Sequence, residues 1–192
     1  KVLYGRLDGY HLSERGRAMA EVVAGHLAGR DITHLVSSPL TRAQETMAPL
    51  AQRLGLPVTL DYRVLEAANS FEGERVSLAN LLRPKNLSKM YDVRKPSWGE
   101  PYVEIVERMS AAVEAASEAA AGHEAVIVSH QLPIWMMRSA VEGRRLWHDP
   151  RSRECSLASV TTIAFRGPEI TALSYAEPAN HLLSTETTSV GA

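Results

Sequence analysis

Three side chains far apart in the sequence have the types that phosphoryl chemistry needs: Arg42, Glu66 and His130. A guanidinium grips phosphate oxygens with a planar fork of donors. An imidazole can donate to a phosphoryl oxygen and stabilise the charge that builds in a transition state. A carboxyl group with a raised pKa can protonate a leaving alcohol. A nucleophile or an activated water completes such a set. Taken singly, each residue has an ordinary reading: Arg42 as a solvated helix arginine, His130 as a satisfied histidine at a strand end, Glu66 as a surface loop residue. The weight lies in their joint placement.

In open α/β sheets, ligands bind beyond the carboxyl ends of the strands. Short apolar runs at 34–38, 57–60 and 125–129 read as strands, the last of them as a fully buried one. Arg42 follows the first run, in the opening turn of a helix over 41–54 that Gly55 ends. Glu66 lies in the loop after the second. His130 directly follows the third and precedes a helix over 132–141 stopped by Gly143. If the strands are parallel, all three residues share one rim. Arg42 and His130 then stand at helix N-termini, where backbone N–H groups and the helix dipole favour an anion. Elsewhere, Ser13 caps a helix that runs to Leu27, with Gly29 as its stop. A helix over 102–121 ends at Gly122, and strands over 159–165 and 170–175 form a hairpin through Arg166-Gly167-Pro168-Glu169. The stretch 61–101 is irregular, with short helices expected over 78–82 and 87–91, and the tail past Pro178 is expected to fray. Trp135 and Trp147 are expected in the core, and Arg144-Arg145 on the surface. Alternating strands and helices predict an α/β domain with a mostly parallel sheet, covered on both faces, and an antiparallel edge.

Composition narrows the function classes. The 192 residues suit one domain, and 21 basic against 22 acidic side chains give a formal net charge of −1. That balance lacks the basic excess of a nucleic-acid binder or a polybasic membrane anchor. The apolar runs 125–128 and 132–137 fall far short of the roughly 18 residues of a membrane span. The lone cysteine, Cys155, excludes an internal disulfide and a multi-cysteine zinc site, which fits a reducing, cytoplasmic setting. No His-x-His or His-Glu-x-x-His cluster supports a metal-dependent hydrolase. Cys155 sits before a strand without a phosphate loop, which disfavours it as a nucleophile.

The segment Val36-Ser37-Ser38-Pro39-Leu40-Thr41-Arg42-Ala43-Gln44-Glu45-Thr46 resembles the second signature of the histidine phosphatase superfamily, the phosphoglycerate-mutase-like proteins. Leu12-Ser13-Glu14-Arg15-Gly16 resembles the start of that family's first helix, and Val126-Ile127-Val128-Ser129-His130 its second-histidine strand. Leu65-Glu66 followed by Phe71-Glu72-Gly73 is similar to its acid-bearing loop, and Cys155-Ser156 leads into the late strand as in relatives. The resemblance implies a three-layer α/β/α sandwich and a metal-independent phosphohistidine mechanism without a cofactor. Carried over, Arg42 binds the phosphoryl group, His130 stabilises it in transfer and Glu66 donates the proton. Gly5 and Arg6 fall near positions that approach substrate, and Gln131 stands where many relatives have Gly. The family's nucleophilic histidine belongs to an Arg-His-Gly motif that this sequence does not contain. Since the chain starts at Lys1 and not at Met, the expectation is that the motif, and the central strand bearing it, lie upstream.

The Arg-Arg-Ser insertion of the longer glycolytic mutases has no counterpart, which favours a phosphomonoesterase over a mutase. A non-catalytic phospholigand-binding protein on the same fold is the further alternative. The expected partner is a small phosphorylated substrate, with the protein a monomer or homodimer. The basic residues Arg75, Arg83, Lys85, Lys89, Arg94 and Lys95 form either a lid over an anionic substrate or a solvated loop, and Trp98-Gly99-Glu100 is expected to line the site.

Overall fold

The computed structural model describes residues 4–7, 9–70, 72–73, 99–167 and 169–183. The helices expected over 78–82 and 87–91, the basic residues from Arg75 to Lys95, and Trp98 lie outside these residues.

Helix α1 (Glu14–Leu27) begins where Ser13 accepts a hydrogen bond from the Gly16 N–H at 3.1 Å, as its type predicts. Its end differs from expectation. Ala28 is right-handed and the Arg30 N–H closes the turn on the Leu27 carbonyl, so Gly29 is not needed for a left-handed stop. Strand β1 (Ile32–Ser37) leads into α2 (Thr41–Leu54), which Gly55 ends at φ 65° with its N–H on the Ala51 carbonyl. Strand β2 is Val58–Leu60, and a 3₁₀ turn (Tyr62–Val64) follows it. Beyond the acid loop come α3 (Tyr102–Ala119), β3 (Glu124–Val128), α4 (Gln131–Val141), β4 (Val160–Arg166) and β5 (Glu169–Ala176).

Strand β1 is central to a parallel sheet of order β2-β1-β3, with Leu35 opposite Val58 on one side and Val126 on the other. The period of two then sorts its side chains between layers. Leu35 packs with Ala24, Leu27, Met47 and Leu50 of α1 and α2. Its neighbour Val36 packs with Ile105, Met109, Ala112, Trp135 and Met136 of α3 and α4. The three layers of an α/β/α sandwich follow from this alternation. Burying each large apolar side chain contributes roughly 1.5–3 kcal/mol.

Strands β4 and β5 pair antiparallel, Thr162 opposite Ser174, as a sheet of their own. A cavity of about 1810 Å³ separates them from β3 and is lined by the residues of both facing strands, with Met19, Val23, Met109 and Val113 from the helices on either face. This corrects the reading of 125–129 as fully buried: all five residues of β3 are half-buried, because only β1 covers an edge of the strand among the described residues. Trp135 is buried, as expected, but Trp147 is 59% exposed. It falls in the irregular connection after α4, outside both hydrophobic clusters. Among the described residues, no helix is long and apolar enough to cross a membrane.

Candidate active site

The parallel strands end side by side, and each hands a polar residue to the same rim. Arg42 is the second residue of α2, His130 is the N-cap of α4, and neither cap position is satisfied by its own side chain. The Ser38 N–H continues the sheet by bonding the Val128 carbonyl at 2.9 Å, which locks the two strand ends together just before both helices start. As a result Arg42 and His130, 88 residues apart, meet: Arg42 Nη2 lies 3.3 Å from His130 Nδ1.

That contact fixes the histidine's protonation. A guanidinium has only donors, so Nδ1 must accept and the ring proton sits on Nε2. Nε2–H then donates to Ser38 Oγ at 2.8 Å, with Ser38 itself fully buried. His130 is 8% exposed, and its pKa falls to about 3. Burial is the main cause, followed by the positive charges of Arg42, Arg108 and Arg6. The imidazole is therefore neutral at working pH, its free lone pair facing a cation.

Glu66 has the opposite electrostatics for a related reason. Its Oε1 accepts from the Ala67 N–H at 2.8 Å, yet burial pushes its pKa up, against the pull of that bond and of Arg42, Arg153 and Arg108. Its remaining accessible surface faces the same cavity as Arg42 and His130. A carboxyl held toward its neutral form beside three cations can act as a proton donor.

The other expected residues divide. Gly5 is at φ 38°, its carbonyl accepts from Arg42 Nη2 at 2.7 Å, and a Cβ there would lie 2.3 Å from Glu72 Oε1. Tyr4 lies against the Arg42 guanidinium, 4.9 Å from ring centre to Cζ. Arg6 reaches the site but is engaged, with Nε on the Glu66 carbonyl at 2.6 Å and Nη2 on Glu100 Oε2 at 2.8 Å. The Gln131 amide spans α4 and the following connection: Nε2 donates to the Cys155 carbonyl at 3.0 Å, and Oε1 faces Arg153 Nη1 at 3.4 Å. Gly99 and Glu100 line the cavity, as expected.

Sequence reasoning missed Ser38, Arg108 and Arg153. Ser38 lies inside the signature, but nothing local marks it as the histidine's partner. Arg108 forms a two-point ion pair with Glu100, Nε to Oε1 at 2.6 Å and Nη2 to Oε2 at 3.1 Å, and its Nη1 also holds the Leu65 carbonyl at 2.8 Å. The pair clamps the loop that carries Glu66. Gly99 belongs to that clamp, since a Cβ would meet the Ala68 carbonyl oxygen at 2.8 Å. Arg153 completes the wall. Among the described residues, no group of three or more His, Cys, Asp or Glu could hold a metal ion.

Comparison with known proteins agrees with this geometry. The sequence profile of the histidine phosphatase superfamily (branch 1) matches residues 1–178. The uncharacterized protein Rv0525 of Mycobacterium tuberculosis is 49% identical over 180 residues, covering 93% of this chain and 89% of that protein. A probable phosphoglycerate mutase, GpmB of Yersinia pestis, is 32% identical over 161 residues, covering 78% of this chain and 72% of its own. Among solved structures, the mycobacterial glucosyl-3-phosphoglycerate phosphatase Rv2419c superposes with a TM-score of 0.60 at 26% identity, over 76% of this chain and 73% of that one. Bacillus stearothermophilus YhfR shares the fold, with a TM-score of 0.71 at 21% identity over 88% of this chain and 92% of its own. The signature carried by β1 and α2, the histidine after β3 and a profile match over most of the sequence lead to one conclusion: the chain belongs to the histidine phosphatase superfamily, a family of phosphatase and mutase chemistry.

Proposed function

We propose that the protein is a metal-independent phosphomonoester hydrolase that works through a phosphohistidine intermediate. The observation that carries this reading is the meeting of Arg42 with a neutral His130 at 3.3 Å on the rim that also bears Glu66. In this scheme the Arg42 fork takes two phosphoryl oxygens. The arriving dianion offsets the three guanidiniums that depress His130, so the imidazole takes up a proton from solvent and hydrogen-bonds a phosphoryl oxygen through it without giving it up. Neutral Glu66 gives its proton to the ester oxygen as the P–O bond breaks, and the alcohol leaves. The phosphoryl passes to a histidine of the family's Arg-His-Gly motif, which the resemblance assigns upstream of Lys1. Water, activated by the now ionised Glu66, then cleaves the P–N bond and releases phosphate.

The cavity between β3 and β4 supports the placement of that motif. Both strands line it, and the Thr161 hydroxyl on β4 is buried there without a hydrogen-bond partner among the described residues. A further parallel strand would satisfy such edges and carry its histidine to the rim. We place the enzyme in the cytoplasm, as a monomer or homodimer acting on a small phosphorylated metabolite. A mutase is the second reading, on the 32% identity to GpmB.

The test is hydrolysis of p-nitrophenyl phosphate by the full-length natural protein at mildly acidic pH, with acid-quench trapping of an acid-labile phosphoenzyme. Chelators should leave the rate intact. Activity that survives both Arg42→Ala and His130→Ala unchanged refutes the assignment.

A further inference from the structure

Glu66 stands where the chain has little structure of its own to hold it. Residues 66–68 belong to no helix or strand, and among the described residues the Glu66 carboxyl bonds the Ala67 N–H alone. Side chains from elsewhere hold the backbone around it. Arg108 on α3 donates through Nη1 to the Leu65 carbonyl at 2.8 Å and to the Arg63 carbonyl. Arg6 donates through Nε to the Glu66 carbonyl itself at 2.6 Å. Both guanidiniums end on one carboxylate, Glu100, with Arg108 Nε on Oε1 at 2.6 Å and Arg6 Nη2 on Oε2 at 2.8 Å. Glu100 also grips the loop directly. Its Oε2 accepts from the Ala68 N–H at 3.3 Å, and its own N–H donates to the Ala68 carbonyl at 3.0 Å.

One carboxylate, 12% exposed, therefore joins three segments: residues 4–7, the acid loop and α3. Asn69 and Gly99 form an antiparallel bridge beside it, and a Cβ on Gly99 would lie 2.8 Å from the Ala68 carbonyl oxygen. A general acid works only within hydrogen-bond reach of the leaving oxygen, and a displacement of about 1 Å can cost ~10²-fold in rate. Charge-assisted hydrogen bonds are roughly twice as strong as neutral ones, which suits them to fixing an irregular loop. Without Glu100, the two guanidiniums that hold Leu65 and Glu66 lose their shared counter-ion, and the Ala68 N–H loses its acceptor. The backbone on both sides of Glu66 is then released at once.

We propose that Glu100 is a positioning residue for proton transfer, holding the Glu66 carboxyl on the rim through Arg6, Arg108 and the Ala68 amide. This rests on the phosphomonoesterase reading and deepens it. Glu100 acts on the reaction through Glu66, so its contribution follows how much the leaving oxygen needs a proton.

The experiment compares glycerol 3-phosphate, an alkyl ester, with p-nitrophenyl phosphate, whose leaving group needs little protonation. The readout is kcat/KM of the full-length natural protein. Glu100→Ala should lower it about 10-fold or more for the alkyl ester and by no more than about 3-fold for the aryl ester. Glu100→Gln keeps one acceptor in place and should recover part of the loss. Gly99→Ala leaves every charge intact but pushes the Ala68 carbonyl, and it should show the same dependence on ester even if Glu100→Ala fails to fold. In a Glu66→Gln background, Glu100→Ala should slow the alkyl ester no further. An equal fall for both esters, or losses that multiply in the double variant, overturns the proposal. Loss of the phosphatase reading shows differently, as hydrolysis of both esters that is indifferent to Arg42→Ala. If neither ester is hydrolysed, amide hydrogen exchange at Ala67, measured against Leu35 in β1, supplies the readout instead. Glu100→Ala or Gly99→Ala should then speed Ala67 about 10-fold, and an unchanged rate overturns the proposal.

Discussion

Arg108 and Arg42 approach the same end of the sheet, and they differ in what answers their charge. Arg108 meets Glu100 through two nitrogens and backbone carbonyls through the third, and Arg6 shares that carboxylate. Arg138 on α4 is closed in the same way by Glu154 at 2.7 Å and Glu142 at 3.4 Å. Among the described residues Arg42 is hydrogen-bonded only to neutral partners, the Gly5 carbonyl and a neutral imidazole, and Arg153 likewise. Position along the chain does not separate these residues, since all four are partly or wholly buried arginines. The counter-ion does. Guanidiniums neutralised by protein hold loops and helices, and on the proposed function Arg42, left to neutral dipoles, receives the phosphoryl group.

The comparison breaks most visibly at Arg42. Arg42→Ala is expected to lower kcat/KM about 10³-fold. Its melting temperature should stay within a few degrees of wild type, because the change deletes a half-buried cation to which no carboxylate is bonded among the described residues. A melting temperature that collapses along with activity would make Arg42 another frame residue. Arg108→Ala is the mirror case. It leaves the largely buried Glu100 with Arg6 as its remaining cation among the described residues, at a cost of about 2 kcal/mol, or roughly 4–8 °C in a chain of this size. A thermal melt measures this. A double-mutant cycle with Glu100→Gln should give a coupling energy of about 1–3 kcal/mol, and near-zero coupling would dissolve the distinction.

Glu66 sharpens it, because it sits among both kinds of arginine and burial raises its pKa against their pull. A carboxyl whose folded pKa is raised stabilises the fold fully below its ordinary value of 4.5, and that contribution is lost as pH rises through the folded value. Permanently neutral Gln escapes the loss. Glu66→Gln should therefore be more stable than wild type at pH 7 and show no such gain at pH 4, read from thermal melts at the two pH values. The same change should lower kcat about 10²-fold for alkyl phosphates and less for p-nitrophenyl phosphate, whose leaving group needs little protonation. Wild-type activity should decline as pH rises past the raised Glu66 pKa, and that limb should vanish in the variant. His130 gives the opposite sign. Its lowered pKa means that the stability it carries is complete above 6.5 and is lost as pH falls toward 3, so it contributes to acid unfolding.

What the sequence made legible was whatever local pattern encodes. Strand ends followed by helix starts located Arg42 and His130, and the Ser13 cap and Gly55 stop fell where residue type put them. Pairing across the fold has no such trace. Glu100 and Arg108 are an ion pair only because a loop folds back along α3, and Ser38 partners His130 across 92 residues. Arg153 lies in an irregular connection with no period to read. The run 124–128 shows the limit from the apolar side: Val126, Ile127 and Val128 announce a strand, but nothing in them says what covers its second edge.

The smallest effect is expected at Cys155, beside Arg153. Burial pushes its thiol up to about 11, so the thiolate is scarce at neutral pH, and Ser159 Oγ–H is its weak partner at 4.0 Å. What this position gives the site is its carbonyl, which holds the Gln131 amide and through it the Arg153 fork. Cys155→Ala keeps that carbonyl. The variant should hold kcat/KM within about 2-fold and lose about 1 kcal/mol of stability from the vacated volume, read from steady-state rates and a melting curve. A 10-fold fall in kcat/KM would mean that the thiol itself faces the substrate.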